Sequence, residues 1–254
     1  MKNMFRKIKD KISRKLVQVQ EEINYRNVLN IAAAMGNYYA FKDLRNCNAG
    51  KKVVLCGAGP TLKMYKSIEG CVHIALNRAL LHDGISFDWF IADDWVGINF
   101  MQNEIVNYQC KKFFGRSFGV DDTIIPEDFI NKCEGIKYYT DIYNVHDGFK
   151  SKFVYDIDKM AIGGMPNIAL QAMQIILFTH PDQIYLAGCD ATTGHFVNPK
   201  RSTEVSKEME LCVAGANSKW VELKRFVEIF YPSVRIASIN PVGLKGIFED
   251  IFTS

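Results

Sequence analysis

Residues 53–62 read Val-Val-Leu-Cys-Gly-Ala-Gly-Pro-Thr-Leu. The four apolar residues predict a buried strand of a parallel sheet, which is covered on both faces and therefore need not alternate. Gly57 and Gly59 predict a sharp turn at the end of this strand. Pro60 fits the first position of a helix, because its missing N–H would have no partner there. The stretch therefore predicts a strand, a glycine turn and a helix in direct succession.

This glycine turn also indicates a ligand. N–H groups at the start of a helix favour an anion, so we expect Gly57, Ala58, Gly59 and Thr61 to contact a phosphate group. The third glycine of the dinucleotide-binding fingerprint is absent. The turn therefore argues against an NAD enzyme and for another phosphate-bearing ligand. The structural alternative is a tight turn without a ligand.

Apolar and helical segments alternate along the rest of the chain. Further strands are predicted at residues 72–76, 87–92, 111–114, 136–139, 183–190 and 234–238, and a long apolar helix at residues 165–178. This alternation predicts an α/β fold with a single Rossmann-like, doubly wound, mainly parallel sheet. Residues 1–46 are expected to be an N-terminal amphipathic helical extension, and residues 47–254 to form the sheet domain.

Polar residues follow three of the predicted strands. Asn77 follows the second, Asp93 and Asp94 follow the third, and Asp190 ends the strand at 183–190. Ligands of open α/β sheets bind outside the carboxyl ends of the strands. The Asn77 amide can both donate to and accept from a ribose or a base, or it caps a helix. Asp93 and Asp94 could hold a divalent cation between diphosphate oxygens or cap the next helix, and we assign no metal.

Two further segments are candidates for the site. Gly163 and Gly164 precede the long apolar helix, so their N–H groups predict a second anion site or a flexible helix entry. Residues 191–210 are polar and aperiodic directly after Asp190, which predicts a lid over the ligand. His195 in this lid has a reference pKa near neutrality and is a candidate general base, with Asp190 as the alternative.

The order of these motifs resembles the bacterial sialyltransferases of glycosyltransferase family 42 and the wider motility-accessory-factor group, which has a pterin diphosphokinase branch. The resemblance covers residues 51–250 and rests on Gly-x-Gly-Pro-[Ser/Thr]-Leu at 57–62, on Asn77 after its strand, and on Ile-Tyr-Leu-x-Gly-x-Asp at 184–190. It implies a glycosyltransferase with a nucleotide-sugar donor, favours a CMP-activated acidic sugar, and implies a bacterial surface glycan or glycolipid acceptor and catalysis without a metal.

The chain departs from this family at the general base. The family uses a histidine where Gly215 stands here, so the base is absent, displaced to His195 or His146, or replaced by Asp190. The tyrosines that hold the donor phosphate in the family have only candidate counterparts, which are Tyr138, Tyr139 and Tyr143. Two alternatives therefore stay open: a pterin-type diphosphokinase using ATP and magnesium at Asp93 and Asp94, and a non-catalytic nucleotide-binding accessory protein.

The N-terminal segment has a charge of its own. Residues 1–15 contain seven basic residues and one acidic residue, whereas the whole chain has a net charge of +3, so the remainder is acidic on balance. Apolar residues recur at helical spacing, which predicts an interfacial helix that binds an anionic membrane surface through residues 1–22. The alternative is a basic helix packed on its own domain or on a partner. We expect no nucleic-acid partner and leave the oligomeric state open.

Cysteine usage and hydropathy predict the compartment. The seven cysteines form no CxxC pair, which favours reduced thiols over a disulfide framework or a zinc site. The chain lacks an apolar run long enough for a membrane span and lacks a visible signal peptide. The sequence therefore predicts a cytoplasmic protein that is peripheral to the inner face of a membrane.

Overall fold

The computed structural model describes residues 2–117, 124–141, 151–165, 167–192 and 207–253. The strands of this part form one parallel sheet in the order β5-β4-β3-β2-β1-β6-β7-β8. They are β1 Lys52–Cys56, β2 Cys71–Leu76, β3 Trp89–Ala92, β4 Lys111–Ser117, β5 Ile136–Thr140, β6 Gln183–Ala187, β7 Arg235–Ile239 and β8 Glu249–Ile251. The predicted Rossmann-like α/β fold with a parallel sheet is confirmed.

Helices cover both faces of this sheet. They are α1 Lys2–Phe41, α2 Trp95–Ile98, α3 Gln102–Asn107, α4 Glu127–Lys132, α5 Ile168–Phe178 and α6 Lys207–Phe230. Short 3₁₀ turns follow β1 at Pro60–Met64 and β2 at Asn77–Leu81. Helix α6 begins at Lys207, so the last four residues of the lid predicted at 191–210 are helical instead. No helix in the described part is both long and apolar enough to cross a bilayer.

The apolar runs of the sequence become the buried strands and helices. Every residue from Val53 to Cys56 is fully buried, because β1 lies in the middle of the sheet between β2 and β6. Helix α5 is buried along nearly its whole length, and it packs with the end of α1 and part of α6 in one of the two cores. The second core lies among the segments around α2, α3 and α4. Burial of α5 on all sides explains why its sequence has no polar face.

Helix α1 has two parts with different surroundings. Every described side chain from residue 11 to residue 32 is exposed, whereas Ala33 and Asn37 are fully buried. The Asn37 amide donates to the carbonyl oxygens of Tyr139 at 2.9 Å and Met160 at 2.8 Å, and its oxygen accepts from the Tyr139 N–H at 2.7 Å. The end of α1 is therefore joined to β5, the last strand on that side of the sheet.

The order of the strands creates a crevice at one place. Strands β2 to β5 extend from β1 in one direction, and β6 to β8 extend in the other. The connections leaving β1 and β6 therefore diverge at their carboxyl ends, which is the topological switch point where open α/β sheets bind ligands.

Candidate functional site

A cleft of about 290 Å³ lies at this switch point. Its walls come from the turns after β1, β2 and β6, from the start of α2 and of α5, and from one residue of α6. The described lining residues are Gly57, Ala58, Gly59, Leu76, Asn77, Arg78, Asp94, Gly97, Asn167, Ile168, Ala169, Gly188, Cys189, Asp190, Ala191, Thr192 and Trp220. Six predicted site residues meet here, namely Gly57, Ala58, Gly59, Asn77, Asp94 and Asp190. Thr61, Asp93, Gly163 and Gly164 are not among the lining residues.

The glycine turn after β1 is packed against the turn after β6. The Gly57 N–H donates to the Ala187 carbonyl and the Gly59 N–H to the Gly188 carbonyl, both at 2.8 Å. A Cβ atom on Gly57 would lie 2.5 Å from the Gly188 carbonyl oxygen, and one on Gly59 would lie 2.6 Å from it. These glycines therefore allow two backbones to approach each other. Their N–H groups do not face a phosphate as predicted, because both are already bonded.

Ala58 is the exception within this turn. Its N–H has no backbone hydrogen bond in the described structure, and the residue is half-buried in the wall of the cleft. Of the three residues of the Gly-Ala-Gly turn, Ala58 therefore offers the donor that an anion in the cleft could use.

Asp190 occupies the place that we predicted for an anionic ligand. Its carboxylate accepts from the Thr61 N–H at 2.9 Å and from the Thr61 hydroxyl through its other oxygen. Asp190 is 5% exposed, so this pair ties the end of β6 to the start of the 3₁₀ turn after β1. The start of this turn is satisfied by a carboxylate of the chain itself, so the Thr61 N–H and hydroxyl already have an acceptor. The same bonds argue against Asp190 as a free general base.

The side chains of Asn77 and Asp94 both lie beside Gly97. Asn77 has a φ of 45°, a backbone conformation that asparagine tolerates better than most residues. Its side-chain oxygen is buried and has no hydrogen-bond partner among the described residues. Asp94 caps α2 by accepting from the Val96 N–H at 2.9 Å, so the predicted capping role is present. An unsatisfied amide oxygen in a cleft is available to a donor group of a ligand.

Asp93 lies outside the lining of the cleft and beside the buried phenol of Tyr138. Burial, together with the adjacent charge of Asp94, raises the pKa of Asp93 to about 7, and a hydrogen bond from Gln171 opposes this shift. The Tyr138 hydroxyl and the Gln171 side-chain oxygen have no partners among the described residues. In the described part, no group of three or more histidine, cysteine or acidic side chains is placed to hold a metal ion.

The paired glycines before α5 pack in the interior. The Gly163 N–H donates to the Gln174 side-chain oxygen at 3.3 Å, and the Gln174 amide donates back to the Gly163 carbonyl at 3.2 Å. Gly163 and Gly164 are buried and do not line the cleft. Asn167 borders the cleft instead, and it caps α5 by accepting from the Ala169 N–H at 2.7 Å.

The candidate base and most of the predicted lid lie outside the part of the chain that the structure describes. His195, His146 and Tyr143 are outside the described residues, as is most of the segment 191–210. Arg78 and Trp220 are among the lining residues that sequence reasoning did not assign to the site. Arg78 directly follows the predicted site residue Asn77, and this position could have identified it as a lining residue. Trp220 is 1% exposed and its indole N–H has no partner among the described residues, but nothing in the sequence of α6 distinguishes it from a core residue.

Cys189 contributes a thiol to the wall of the cleft. Burial raises its pKa to about 12, so the thiol is protonated at neutral pH and is a poor nucleophile. The six cysteines whose side chains the structure describes are free, namely Cys47, Cys56, Cys71, Cys110, Cys133 and Cys189. Thiol chemistry therefore does not distinguish this site.

The chain matches no family model and no curated protein. Its structure is similar to that of the monofunctional alpha-2,3-sialyltransferase Cst-I from Campylobacter jejuni, at 14% identity and a TM-score of 0.44, covering 74% of this chain and 75% of that one. It is also similar to the sialyltransferase CstII from Campylobacter jejuni in complex with CMP-3FNeuAc, at 13% identity and a TM-score of 0.46, covering 78% and 85% of the two chains. A third similar structure is CST-II in complex with a trisaccharide acceptor and CMP, at 14% identity and a TM-score of 0.44, with 74% and 80% covered.

Proposed function

We propose that this protein is a glycosyltransferase that moves a sugar from a nucleotide donor to a glycan or glycolipid acceptor. The observation that carries the proposal is the cleft at the switch point between β1 and β6. It combines the Ala58 N–H and the Asn77 amide oxygen, neither of which has a hydrogen-bond partner among the described residues, with a cation at Arg78. Such a combination suits a ligand with one anionic group and several hydroxyl or base donors. The motif order from residue 51 to residue 250, which resembles family 42, supports a CMP-activated acidic sugar as the donor.

The proposed reaction is a direct displacement at the anomeric carbon of the donor sugar. The acceptor oxygen forms the new bond to this carbon while the bond to the phosphate oxygen breaks, and the nucleoside monophosphate leaves. The acceptor proton passes to a general base, for which His195 stays our prediction. Positioning of the two substrates would supply much of the acceleration, since there is no covalent intermediate to stabilise.

Ligand-induced stabilisation tests the donor class directly. We expect CMP to raise the melting temperature more than UDP, GDP or ATP does. A ligand at 100 times its Kd stabilises the folded state by about 2.7 kcal/mol, which corresponds to about 5–10 °C for a chain of this size. No shift with any of the four nucleotides would contradict the proposal.

A matched pair of variants locates the binding site. Asn77→Asp keeps the size and backbone preference of the residue but adds a negative charge inside the cleft. Asn99→Asp makes the same change at an exposed residue outside the lining. We expect the first variant to lose the CMP-dependent shift and the second to retain it. Equal shifts in both variants would place the nucleotide elsewhere.

Metal dependence separates the proposal from a diphosphokinase. We expect transfer of the sugar to continue in EDTA. Stabilisation by ATP alone that requires magnesium and is lost in Asp94→Asn would instead support pyrophosphate transfer. Binding of CMP without any transfer activity would favour the accessory-protein alternative.

We also propose that the N-terminal part of α1 attaches the enzyme to an anionic membrane surface. Ile12, Leu16, Val19 and Ile23 are exposed at helical spacing, and the preceding residues are strongly basic. Apolar contact with the acyl region and electrostatic attraction to lipid headgroups act together in such a helix. This attachment would hold the cleft near a lipid-linked acceptor at the inner face of the membrane.

A further inference from the structure

The inference concerns Trp220, the residue that helix α6 contributes to the wall of the cleft. It lies on the buried face of this helix, which also carries Ala216, Leu223 and Val227 at helical spacing. Its ring meets that of Phe248 edge-on, with centroids 6.1 Å apart and an interplanar angle of 86°. This packing fixes the position of the indole ring at the cleft.

The preceding residue, Lys219, holds α6 in its orientation. Its ammonium group is buried and donates to the Ser151 carbonyl at 2.6 Å and to the Glu222 carboxylate at 2.7 Å. A buried ammonium group is unfavourable without such partners. The bond to Ser151 therefore resists rotation of the helix, which would move Trp220 away from the cleft.

The indole nitrogen of Trp220 is an unsatisfied donor. It is buried, and no described residue accepts a hydrogen bond from it. Buried polar groups nearly always have a partner, and leaving one unpaired is unfavourable. A phenylalanine ring could pack against Phe248 without this penalty. An indole N–H at the wall of a cleft is therefore suited to an acceptor group of the ligand.

Two other unpaired groups border the same cleft, and Trp220 lies across it from one of them. The Asn77 side-chain oxygen follows β2 and the Ala58 N–H follows β1, and neither has a partner among the described residues. Helix α6 joins β6 to β7, and β1 lies between β2 and β6. Because neighbouring strands are about 4.8 Å apart, the β2 and β6 sides of the cleft are about 10 Å apart. A ligand that meets all three groups is longer than one base or one sugar ring, as a nucleotide sugar is.

The chemistry of these groups gives the direction of the ligand. The Asn77 oxygen is an acceptor, which suits the amine of a base or a ribose hydroxyl, and the Ala58 N–H between the two sides suits the phosphate. The Trp220 indole can only donate, and an ionised carboxylate can only accept. We propose that the Trp220 indole N–H binds the carboxylate of the acidic sugar and selects donors that carry one. This inference rests on the proposed function, because it assigns the sugar end of the same cleft.

Paired titrations of CMP and CMP-N-acetylneuraminic acid test the assignment, because the second ligand adds an acidic sugar to the first. Trp220→Phe keeps an aromatic ring against Phe248 and removes only the N–H. Trp89→Phe is the matched control, since Trp89 is also buried, at 7% exposed, but does not line the cleft. Melting temperatures establish that each variant is folded.

We expect Trp220→Phe to weaken binding of CMP-N-acetylneuraminic acid by about 10–100-fold, as for a hydrogen bond to a charged group, and CMP binding by less than about twofold. Trp89→Phe should bind both ligands like the unmodified protein. Trp220→Phe should also melt no earlier than the unmodified protein in the absence of ligand, because the lost N–H has no partner there. A residue that served packing alone would give the opposite result in both measurements.

The indole signals of an amide-type ¹H–¹⁵N spectrum report the contact directly, since the chain has only three tryptophans. The signal that is missing in Trp220→Phe belongs to Trp220. We expect its proton to move downfield when CMP-N-acetylneuraminic acid is added and to stay in place with CMP. If Trp220→Phe does not fold, Trp89→Phe and Trp95→Phe identify the other two signals, and the remaining one decides the question.

Different failures are distinguishable. If CMP binds but the Trp220 signal stays in place with both ligands, Trp220 is a packing residue and the inference is wrong although the proposed function stands. If CMP alone moves the signal as far as the sugar-linked ligand does, the indole contacts the nucleotide and the carboxylate assignment is wrong. If the unmodified protein binds neither ligand, the proposed function fails and the inference fails with it.

Discussion

At the scale of single residues, the contact between Asp190 and Thr61 determines the shape of the site. It joins two turns that are 129 positions apart in the chain, and it satisfies a helix start that would otherwise attract an anion. A carboxylate held by two donors is an orienting group, whereas a general base must be free to take up a proton. The contact therefore favours a structural role for Asp190.

We predict that Asp190→Ala lowers the free energy of unfolding by about 2–4 kcal/mol, because the two donors of half-buried Thr61 lose their acceptor. Thr61→Val should remove only the hydroxyl contact and lower it by about 1 kcal/mol. Urea denaturation measures both, with the exposed Asp182→Asn as a control. If Asp190→Asn unfolds like the unmodified protein but has no transfer activity, the catalytic role predicted from the sequence would be favoured instead.

The raised pKa of Asp93 predicts that the stability of the protein depends on pH. Its pKa is raised from 3.8 to about 7 in the folded protein, mainly by burial. Between these values the folded state retains a proton that the unfolded chain releases, so this group makes the protein less stable as pH rises from about 4 to about 7. Asp93→Asn removes the effect. We expect this variant to gain on the order of 2 kcal/mol relative to the unmodified protein when pH is raised from 5 to 8.

Urea denaturation at both pH values measures this difference, and the exposed loop variant Asp83→Asn provides the comparison. Asp83→Asn should show the same difference from the unmodified protein at pH 5 and at pH 8. An Asp93→Asn variant that behaves in this way would show that the carboxyl group ionises normally in the folded state.

At the scale of the elements, the sequence predicted the strands that depend on a local run of apolar residues. The run at residues 53–56 is uniformly apolar because this part of β1 is buried on both faces, and it was predicted as a strand. The second run, at residues 183–187, was also predicted as a strand, although Gln183 and Tyr185 in β6 are only half-buried. The prediction extended the second run to Asp190, whereas β6 ends at Ala187 because Gly188 takes a φ of 61°. Strand β8 was missed because Glu249–Ile251 is short and mostly polar.

Contacts between distant elements could not be predicted in this way. The Gly-Ala-Gly turn indicates a sharp bend, but a single sequence does not reveal that Gly188 approaches it from β6. The glycines were therefore assigned to a ligand alone, whereas in the structure they also allow the two turns to pack together. Arg78 was overlooked for a similar reason. Its position in the wall of the cleft depends on turns that are far apart in the chain.

For α1 we predict binding to vesicles that contain anionic lipid, with affinity that falls as salt rises. A variant lacking residues 1–22 should stay in the supernatant when such vesicles are sedimented, yet should transfer sugar to a soluble acceptor at the usual rate. Neutral vesicles provide the control. Equal sedimentation of the two proteins would exclude membrane attachment through this segment.

At the scale of the whole molecule, the position of the site follows from the strand order. The sequence placed Asn77, Asp94 and Asp190 at strand ends, and the parallel sheet brings all three to one cleft. The cleft could therefore be located from the alternation of strands and helices alone. Its chemistry could not, because hydrogen bonds within the chain decide which of the polar groups are free for a ligand.

The hydrogen bonds of Asn37 also bear on how this chain can be shortened. An outermost strand exposes backbone groups that invite another sheet to pair with it, and this is a common origin of aggregation. Asn37 shields part of this strand by bonding the N–H and the carbonyl of Tyr139 on β5, and the Ile162 N–H donates to the same carbonyl at 3.0 Å. A fragment starting at residue 47, where the predicted extension ends, would lose that shield. Truncation before Ala33, by contrast, would keep it and remove only the solvent-exposed part of the helix.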